Sequence, residues 1–256
     1  MPFLVPDLEQ TLISFAGGGL KHLKPKQDNG VVDLLVWNVF KGQRGRYFIT
    51  DFKKLARDKD FILLQEALIP KDSPHFFHPD FQNYHWHMAQ SFQYKKDLSS
   101  TGVAIGSAHD LHFVDFARAP ERELFWLTPK MSIFSKVQYG SSELLLVCTH
   151  ALNFVTTGAF VRSMEEIAKM ISQHQGPVVL AGDFNTWNVK RFLAMRSIFG
   201  NLHLEHIDLA DDQRILKLDH VFVRGLQVKH AKVHHQVSSS DHFPIELTLQ
   251  LGADRK

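Results

Sequence analysis

The chain of 256 residues has a single cysteine, Cys148, so no disulfide can form within it. That usage suits a reducing compartment, and the expectation is a cytoplasmic protein. Charge of one sign is not in excess either: 29 Lys and Arg face 27 Asp and Glu, a net charge of +2. Such a balance excludes neither nucleic acid nor a neutral substrate, because it can hide a basic stripe. Long apolar runs are missing. No stretch approaches the ~18 apolar residues of a membrane span, so no stable membrane insertion is expected. Near the start, Phe3-Leu4-Val5 is cut by Pro6 and followed by Asp7 and Glu9, which is not the profile of a signal peptide. No repeat or linker divides the chain, and nothing in it fixes an oligomeric state. We read residues 1–30 as an arm or short helix and residues 31–252 as one domain.

What the chain does have is 44% apolar residues, enough for a sizeable core, arranged in short runs that end in polar side chains. The run 178–181 follows Gly176-Pro177 and ends in Gly182-Asp183-Phe184-Asn185. It reads as a buried strand that delivers a carboxylate and a carboxamide to its rim. Residues 31–37 are another buried strand, delivering Asn38. A loop with Lys41, Arg44 and Arg46 comes next, either solvated or in contact with phosphate. Residues 61–64 end at Gln65-Glu66, and 144–149 end at His150, with Asn153 close behind. The run 218–223 carries Asp219, and a polar loop leads to Ser240-Asp241-His242-Phe243-Pro244.

Between these lie elements that read as scaffold. Residues 7–15 suggest a short helix stopped by Gly17-Gly18-Gly19, and Thr50-Asp51 suggests the cap of a helix with Phe52, Leu55 and Ala56 on one face. His85 and His87 share a strand face, but no third metal ligand accompanies them. Residues 118–122 read as a charged turn, and a hairpin is centred on Tyr139-Gly140. Thr156 or Thr157 caps a helix to about residue 174, with a stripe of Phe160, Met164, Ile167, Ala168 and Ile171. Asn188 caps another, in which Phe192, Leu193 and Phe199 face inward and Gly200 is the stop. Residues 70–79 and 208–217 read as loops. Many short strands with a few helices predict two sheets packed face to face with helices outside. Cys148, at the end of an apolar run, reads as a buried core thiol.

Polar residues at so many strand ends are hard to explain as turns, and loops on a rigid sheet are where sites are built. Glu66 and Asp241 are hard oxygen donors of the kind Mg²⁺ prefers, and Asn38 adds a carbonyl oxygen. Without a thiolate cluster, structural zinc is disfavoured. Such a metal would polarise a phosphoryl oxygen and stabilise the leaving oxygen. His242 can take a proton from water if a carboxylate, for which Asp219 is the candidate, holds its tautomer. Asp183 and Asn185 would position that water, and His150 with Asn153 would hold a non-bridging oxygen. Lys130, Arg44, Arg46, Lys41 and Arg122 could track a phosphate backbone.

These residues, in this order, carry a resemblance. Trp37-Asn38, Gln65-Glu66, Thr101-Gly102-Val103-Ala104, Thr149-His150, Gly182-Asp183-Phe184-Asn185, Leu218-Asp219-His220 and Ser240-Asp241-His242-Phe243-Pro244 resemble the motifs of the endonuclease/exonuclease/phosphatase superfamily. DNase I, AP endonucleases, neutral sphingomyelinases and inositol 5-phosphatases belong to it. The YafD-like bacterial branch is the nearest in appearance, since the runs 176–187, 211–214 and 224–226 also look alike. The resemblance implies a four-layer α/β sandwich and phosphoester hydrolysis with Mg²⁺, or Mn²⁺ in its place. Carried over, it makes Glu66 the main metal ligand with Asn38 assisting and Asp241 at the metal side. Asp183 and Asn185 serve the nucleophile and phosphate, His242 is the base and Asp219 orients it. Departures narrow the choice. Phe40 stands where AP endonucleases have an acid or amide, His150 where they have Tyr, and Thr186-Trp187 where inositol 5-phosphatases have Tyr-Arg. The expectation is an intracellular nuclease or related phosphodiesterase. The alternatives are a sphingomyelinase-like lipid phosphodiesterase and a non-catalytic binding module on the same fold.

Overall fold

The computed structural model describes residues 2–15, 30–71, 84–123, 128–209 and 212–252. The expected glycine stop at Gly17-Gly18-Gly19 and most of the 70–79 loop lie outside the described residues. The first sheet has eight strands among these residues: β1 (Phe3–Leu4), β2 (Leu12–Phe15), β3 (Val31–Asn38), β4 (Phe61–Ile69), β5 (His85–Tyr94), β6 (Ser100–Ser107), β13 (Leu226–Val233) and β14 (Ile245–Leu251). Their order is β1-β5-β6-β4-β3-β14-β13, with β2 also paired to β5, and β3 and β4 run parallel. The second sheet has the order β11-β12-β10-β9-β8-β7. Its strands are β7 (Phe113–Arg122), β8 (Pro129–Tyr139), β9 (Ser142–His150), β10 (Val178–Asp183), β11 (Glu205–His206) and β12 (Asp219–Arg224), with β9 and β10 parallel.

Alternation along the strands explains the layers. In β3, Leu34 and Val36 face the core between the sheets, while Leu35 and Trp37 face helix α2 (Arg46–Ala56). In β9 and β10, Leu144, Leu146, Val179 and Ala181 face the same central core. Leu145, Val147, Val178 and Leu180 face the helices α3 (Thr157–Ser172) and α4 (Val189–Gly200). Helix, sheet, sheet, helix is the expected α/β sandwich. Strands buried on both faces are why these runs are apolar throughout. Cys148 lies in the central core, where burial pushes its thiol up to about 12, and Gln65 Nε2 donates to its Sγ at 3.1 Å.

Several local readings differ from the structure, each because a tertiary partner decided. Of residues 7–15 only Leu8–Thr11 is helical, as a single turn α1, and residues 12–15 become β2 because β5 offers them backbone partners. Helix α2 begins at Arg46, not at Thr50-Asp51. The Thr50 hydroxyl donates one turn back to Arg46 O at 2.9 Å, and Asp51 accepts from Ser239 Oγ at 2.6 Å. Residues 118–122 continue β7 past a bulge instead of turning, and Arg118 is held by Pro6 O and Thr11 Oγ1. In α4 the buried positions are Arg191, Met195 and Phe199, and Leu193 is exposed. The caps Thr156 and Asn188 are as expected, each accepting a backbone N–H from residue Ala159 or Arg191.

Gly182 is where the site strand meets its neighbour most closely. Its φ is 145°, and an added Cβ would lie 2.0 Å from Thr149 O on β9. Gly182→Ala should therefore cost more than about 3 kcal/mol, read as a shift of the urea unfolding midpoint. A loss below about 1 kcal/mol would mean that β9 and β10 do not pack as described.

Candidate active site at the joined strand ends

Two parallel pairs bring the polar strand ends to one place. In the first sheet Asn38 is in register with Gln65, so Glu66 lies just beyond it. In the second sheet Asp183 is in register with His150 on one side and Asp219 on the other. Strands β3 and β4 pack against β9 and β10. Asn38 Nδ2 consequently donates across the two sheets to Asp183 Oδ2 at 3.0 Å. That oxygen is also 3.5 Å from His150 Nε2 and 3.7 Å from His242 Nε2. The other oxygen, Oδ1, accepts from the Asn185 backbone N–H at 3.0 Å. Burial, and next the charge of Asp219, push the Asp183 carboxyl above the usual range.

His242 reaches the cluster from the 238–244 loop. Its Nδ1 lies 3.0 and 2.9 Å from the two oxygens of Asp219, so Nδ1 carries the hydrogen and Nε2 is turned toward Asp183. Burial opposes the imidazolium. The charge and hydrogen bond of Asp219, followed by Asp183 and Asp241, outweigh it and carry His242 up to about 10. The loop is tied down at Trp37 Nε1, which donates to His242 O at 2.9 Å, and at Ser240 Oγ, which donates to Asn38 O at 2.7 Å. Asp241 is exposed, with an oxygen 3.3 Å from Ser240 Oγ.

His150 has a different state. Lys130 Nζ donates to its Nε2 at 2.9 Å, which makes that nitrogen an acceptor. Burial, then the cations Lys130, His242 and Lys41, hold it well below the usual histidine range, so it is neutral. Glu66 sits in a bulge of β4 with φ 52° and is ion-paired to Lys41. Glu66, Lys41, Thr101, Lys130 and His150 line one cavity of about 210 Å³. The structure thus joins Asn38, Asp183, His150, Asp219 and His242 directly, and links Glu66 to them through the cavity it shares with Lys130 and His150. Asn185, with φ 51°, donates from Nδ2 to Ala151 O at 2.9 Å. Asn153 is half-buried, and its N–H donates to Glu123 Oε1 at 2.7 Å. Arg44 is exposed on the turn before α2 and makes none of these bonds.

Atoms of Asp183, Asp219 and His242 lie within 4.8 Å of one another, a spacing that could hold a metal. Asp219 is already committed, however. Arg214 Nη1 donates to its Oδ2 at 3.1 Å, while Arg214 itself is held by both oxygens of Asp212 at 2.8 and 3.0 Å. The other oxygen donors nearby are Glu66, which is ion-paired to Lys41, Asn38, whose Oδ1 accepts from the Phe40 N–H at 3.2 Å, and the exposed Asp241. Sequence reasoning had not assigned a role to Arg214 or to Arg191. Arg191 is fully buried and donates to the carbonyls of Leu152, Asn153, Val155 and Asn185 at 2.7–3.0 Å. Its guanidinium lies 4.9 Å from the Phe160 ring and 4.8 Å from the Trp187 ring. The available signal was its spacing of four from Met195 and then Phe199.

With this geometry in hand, comparison with known proteins gives consistent matches. The model of the "Endonuclease/Exonuclease/phosphatase family" matches residues 35–242. A UPF0294 protein of Vibrio parahaemolyticus is 32% identical over 248 residues, covering 94% of this chain and 83% of the relative. This agrees with the YafD-like branch suggested by the sequence. Among solved structures, an endonuclease/exonuclease/phosphatase from Bacteroides vulgatus superposes with a TM-score of 0.67 at 16% identity, over 86% of this chain and 99% of that one. Sphingomyelinase C from Streptomyces griseocarneus gives 0.61 at 15% identity, over 87% and 99%. At these identities the two structures share the fold.

Behind Asp219 runs a chain of neutral hydrogen bonds. His206 Nε2 meets His220 Nδ1 at 3.0 Å, and His220 Nε2 meets Thr186 Oγ1 at 2.6 Å. The Thr186 hydrogen goes to Lys217 O, so His220 Nε2 is the donor to Thr186. Burial, then His206, hold His220 down to about 3. An unfolded imidazole takes its proton near pH ~6.5. The stabilising contribution is therefore complete above that value and is lost as pH falls toward 3. The unfolding free energy should decline over that window, and His220→Gln should flatten the decline. Equal slopes for the two proteins in urea titrations at several pH values would refute the assignment.

Proposed function

The chain belongs to the endonuclease/exonuclease/phosphatase family, and from that membership we propose that it is a phosphodiesterase dependent on Mg²⁺, or on Mn²⁺ in its place, with His242 as general base. The observation that carries the reading is the linked arrangement of Asp219, His242 and Asp183, with one imidazole nitrogen held and the other turned to a buried carboxylate. Glu66, Asp241 and Asn38 would hold the ion. Their donors are all oxygen, which suits a hard divalent ion, and such an ion would take the place of Lys41 beside Glu66. When bound, that ion would offset charge on the phosphoryl and leaving oxygens.

The remaining steps fall to the side chains. Among these carboxylates His242 is an imidazolium; the charge of a bound ion would favour its neutral form, whose Nε2 accepts a proton from the attacking water. Asp219 keeps the tautomer that exposes Nε2 and stabilises the imidazolium that results, and Arg214 fixes Asp219 in turn. Asp183 and Asn185 position the water and the phosphate. Lys130 and neutral His150 form a pair that would face the phosphate oxygens, and Glu123 Oε1 lies between Lys130 and the Asn153 N–H, at 3.7 and 2.7 Å. The sequence favoured a nucleic acid as substrate, with Arg44 among the backbone contacts. Two of the cations behind that preference turn inward, Lys41 onto Glu66 and Lys130 onto His150, while Arg44, Arg46 and Arg122 are exposed. A lipid phosphodiester is the second reading, supported by exposed aliphatic side chains on the loops that carry the site.

The test is a hydrolysis panel of bis(p-nitrophenyl) phosphate, DNA, RNA and sphingomyelin with Mg²⁺, Mn²⁺ or EDTA. Turnover should require the metal and should drop about a thousandfold in His242→Ala. Glu66→Ala should lose the response to Mg²⁺. Turnover that survives EDTA would sink the metal, and an unimpaired His242→Ala would sink the base.

A further inference from the structure

Helix α4 is inverted relative to an ordinary surface helix. It buries a cation, Arg191, and exposes two aliphatic side chains, Val189 and Leu193. The exposed apolar residues do not stop there. Trp187 is half exposed, Phe154 and Leu216 are exposed, and Ile215 is 99% exposed. Scattered exposed apolar residues are ordinary, but these are not scattered. Phe154 follows Asn153, Trp187 lies two residues after Asn185, and Leu216 lies three before Asp219. Three of the loops that present groups of the proposed site, those of Asn153, Asn185 and Asp219, therefore also present an apolar side chain to solvent.

Four of these side chains form one rim. Trp187, Val189, Ile215 and Leu216 line a cavity of about 550 Å³ that has Arg214 and Asp219 among its walls. The rim is held in place from below. Arg191 binds the carbonyls on either side of Phe154, at Asn153 and Val155, and its guanidinium lies against the Trp187 ring. Cations accompany the apolar tips: Lys190 beside Val189, and Lys217 beside Leu216, both exposed. On the same loop Asp212 pairs with Arg214 and, at 3.6 Å, with Lys217, while Asp208 is exposed.

We propose that this rim is a docking surface for a phospholipid bilayer, with the aliphatic tips entering the interface and Lys190 and Lys217 meeting headgroup phosphates. The inference deepens the phosphodiesterase reading and rests on it for the substrate class, a phosphoester presented in a lipid surface. The composition of the rim favours this occupant. Ile215, Leu216 and Val189 have no ring on which a base can stack, so a nucleic acid would engage Trp187, Phe154 and the cations and leave these three unexplained. A protein seated on the rim would cover the groups that handle the phosphoester, whereas a bilayer brings the phosphoester to them. No helix among the described residues is long and apolar enough to cross a membrane, so the attachment is at the interface, from buried apolar area plus charge.

The experiment measures partition of the full chain onto vesicles of phosphatidylcholine, with and without phosphatidylglycerol. The proteins are wild type, the double variant Ile215→Ser/Leu216→Ser and His242→Ala. The altered rim residues are exposed, so the double variant should keep the wild-type melting temperature. Wild type and His242→Ala should bind mixed vesicles alike, and the double variant should bind about tenfold more weakly. Its turnover of soluble bis(p-nitrophenyl) phosphate should match wild type. Wild-type protein that ignores both vesicles overturns the proposal, as does a double variant that binds like wild type. Retention of a DNA oligonucleotide in place of vesicles, lost in the double variant, also overturns it. If vesicles bind through Ile215 and Leu216 while no soluble diester is cleaved, the docking surface stands and the phosphodiesterase reading fails. If the diester is cleaved and vesicles are ignored, the reverse holds.

Discussion

A carboxylate buried between two sheets is the constraint around which the molecule is fitted. Asp183 has almost no contact with solvent, and a buried charge is costly unless polar groups surround it. Those groups come from different parts of the chain: Asn38 from β3, the Asn185 N–H from the following turn, His150 from β9 and His242 from the 238–244 loop. Apart from the Asn185 N–H, none is near enough in sequence to be placed by local structure. They converge because β3 with β4 and β9 with β10 are parallel pairs that end together. Gly182 lets β10 approach β9 closely enough for this, since a side chain there would meet Thr149 O.

Much of that frame is visible in the sequence, for a physical reason. A strand buried on both faces must be apolar throughout, so 31–37, 144–149 and 178–181 announce themselves, and a polar residue that ends such a run has few structural explanations. That polar residues gather at the ends of these strands was legible on that ground. Elements whose partners decide their form were not. Residues 12–15 have no strong period of their own and became a strand because β5 had a free edge for them. Residues 118–122 look like a charged turn until the N-terminal segment supplies acceptors for Arg118. The Thr50-Asp51 pair imitates a cap, but its side chains serve Arg46 O and Ser239.

The arginines were the hardest to read, since an arginine in a polar stretch looks solvated. Arg214 and Arg191 are both buried and solve different problems. Arg214 lies between two carboxylates, Asp212 and Asp219, so the anion that holds His242 is itself fixed in place. Among the described residues the Arg191 guanidinium donates to backbone carbonyls alone. A guanidinium can satisfy several of them in one plane while its faces lie against aromatic rings, as they do here with Phe160 and Trp187. The left-handed backbone of Asn185, with φ 51°, persists because Arg191 binds its carbonyl and Ala151 accepts from its side chain.

That same arginine explains why the helix next to the site is inverted. At 3.6 residues per turn, positions two apart on a helix point to nearly opposite sides. Turning Arg191 inward to hold the 151–155 segment and Asn185 therefore turns Val189 and Leu193 outward. A polar residue at either position would keep the arginine clamp and remove the exposed aliphatic surface, because neither side chain is part of the clamp. The geometry of the site requires Arg191 to be buried. It does not require valine and leucine on the other face, nor isoleucine at the tip of the loop that leads to Asp219. Those choices answer to something outside the fold, and they lie beside the groups that would meet the phosphoester.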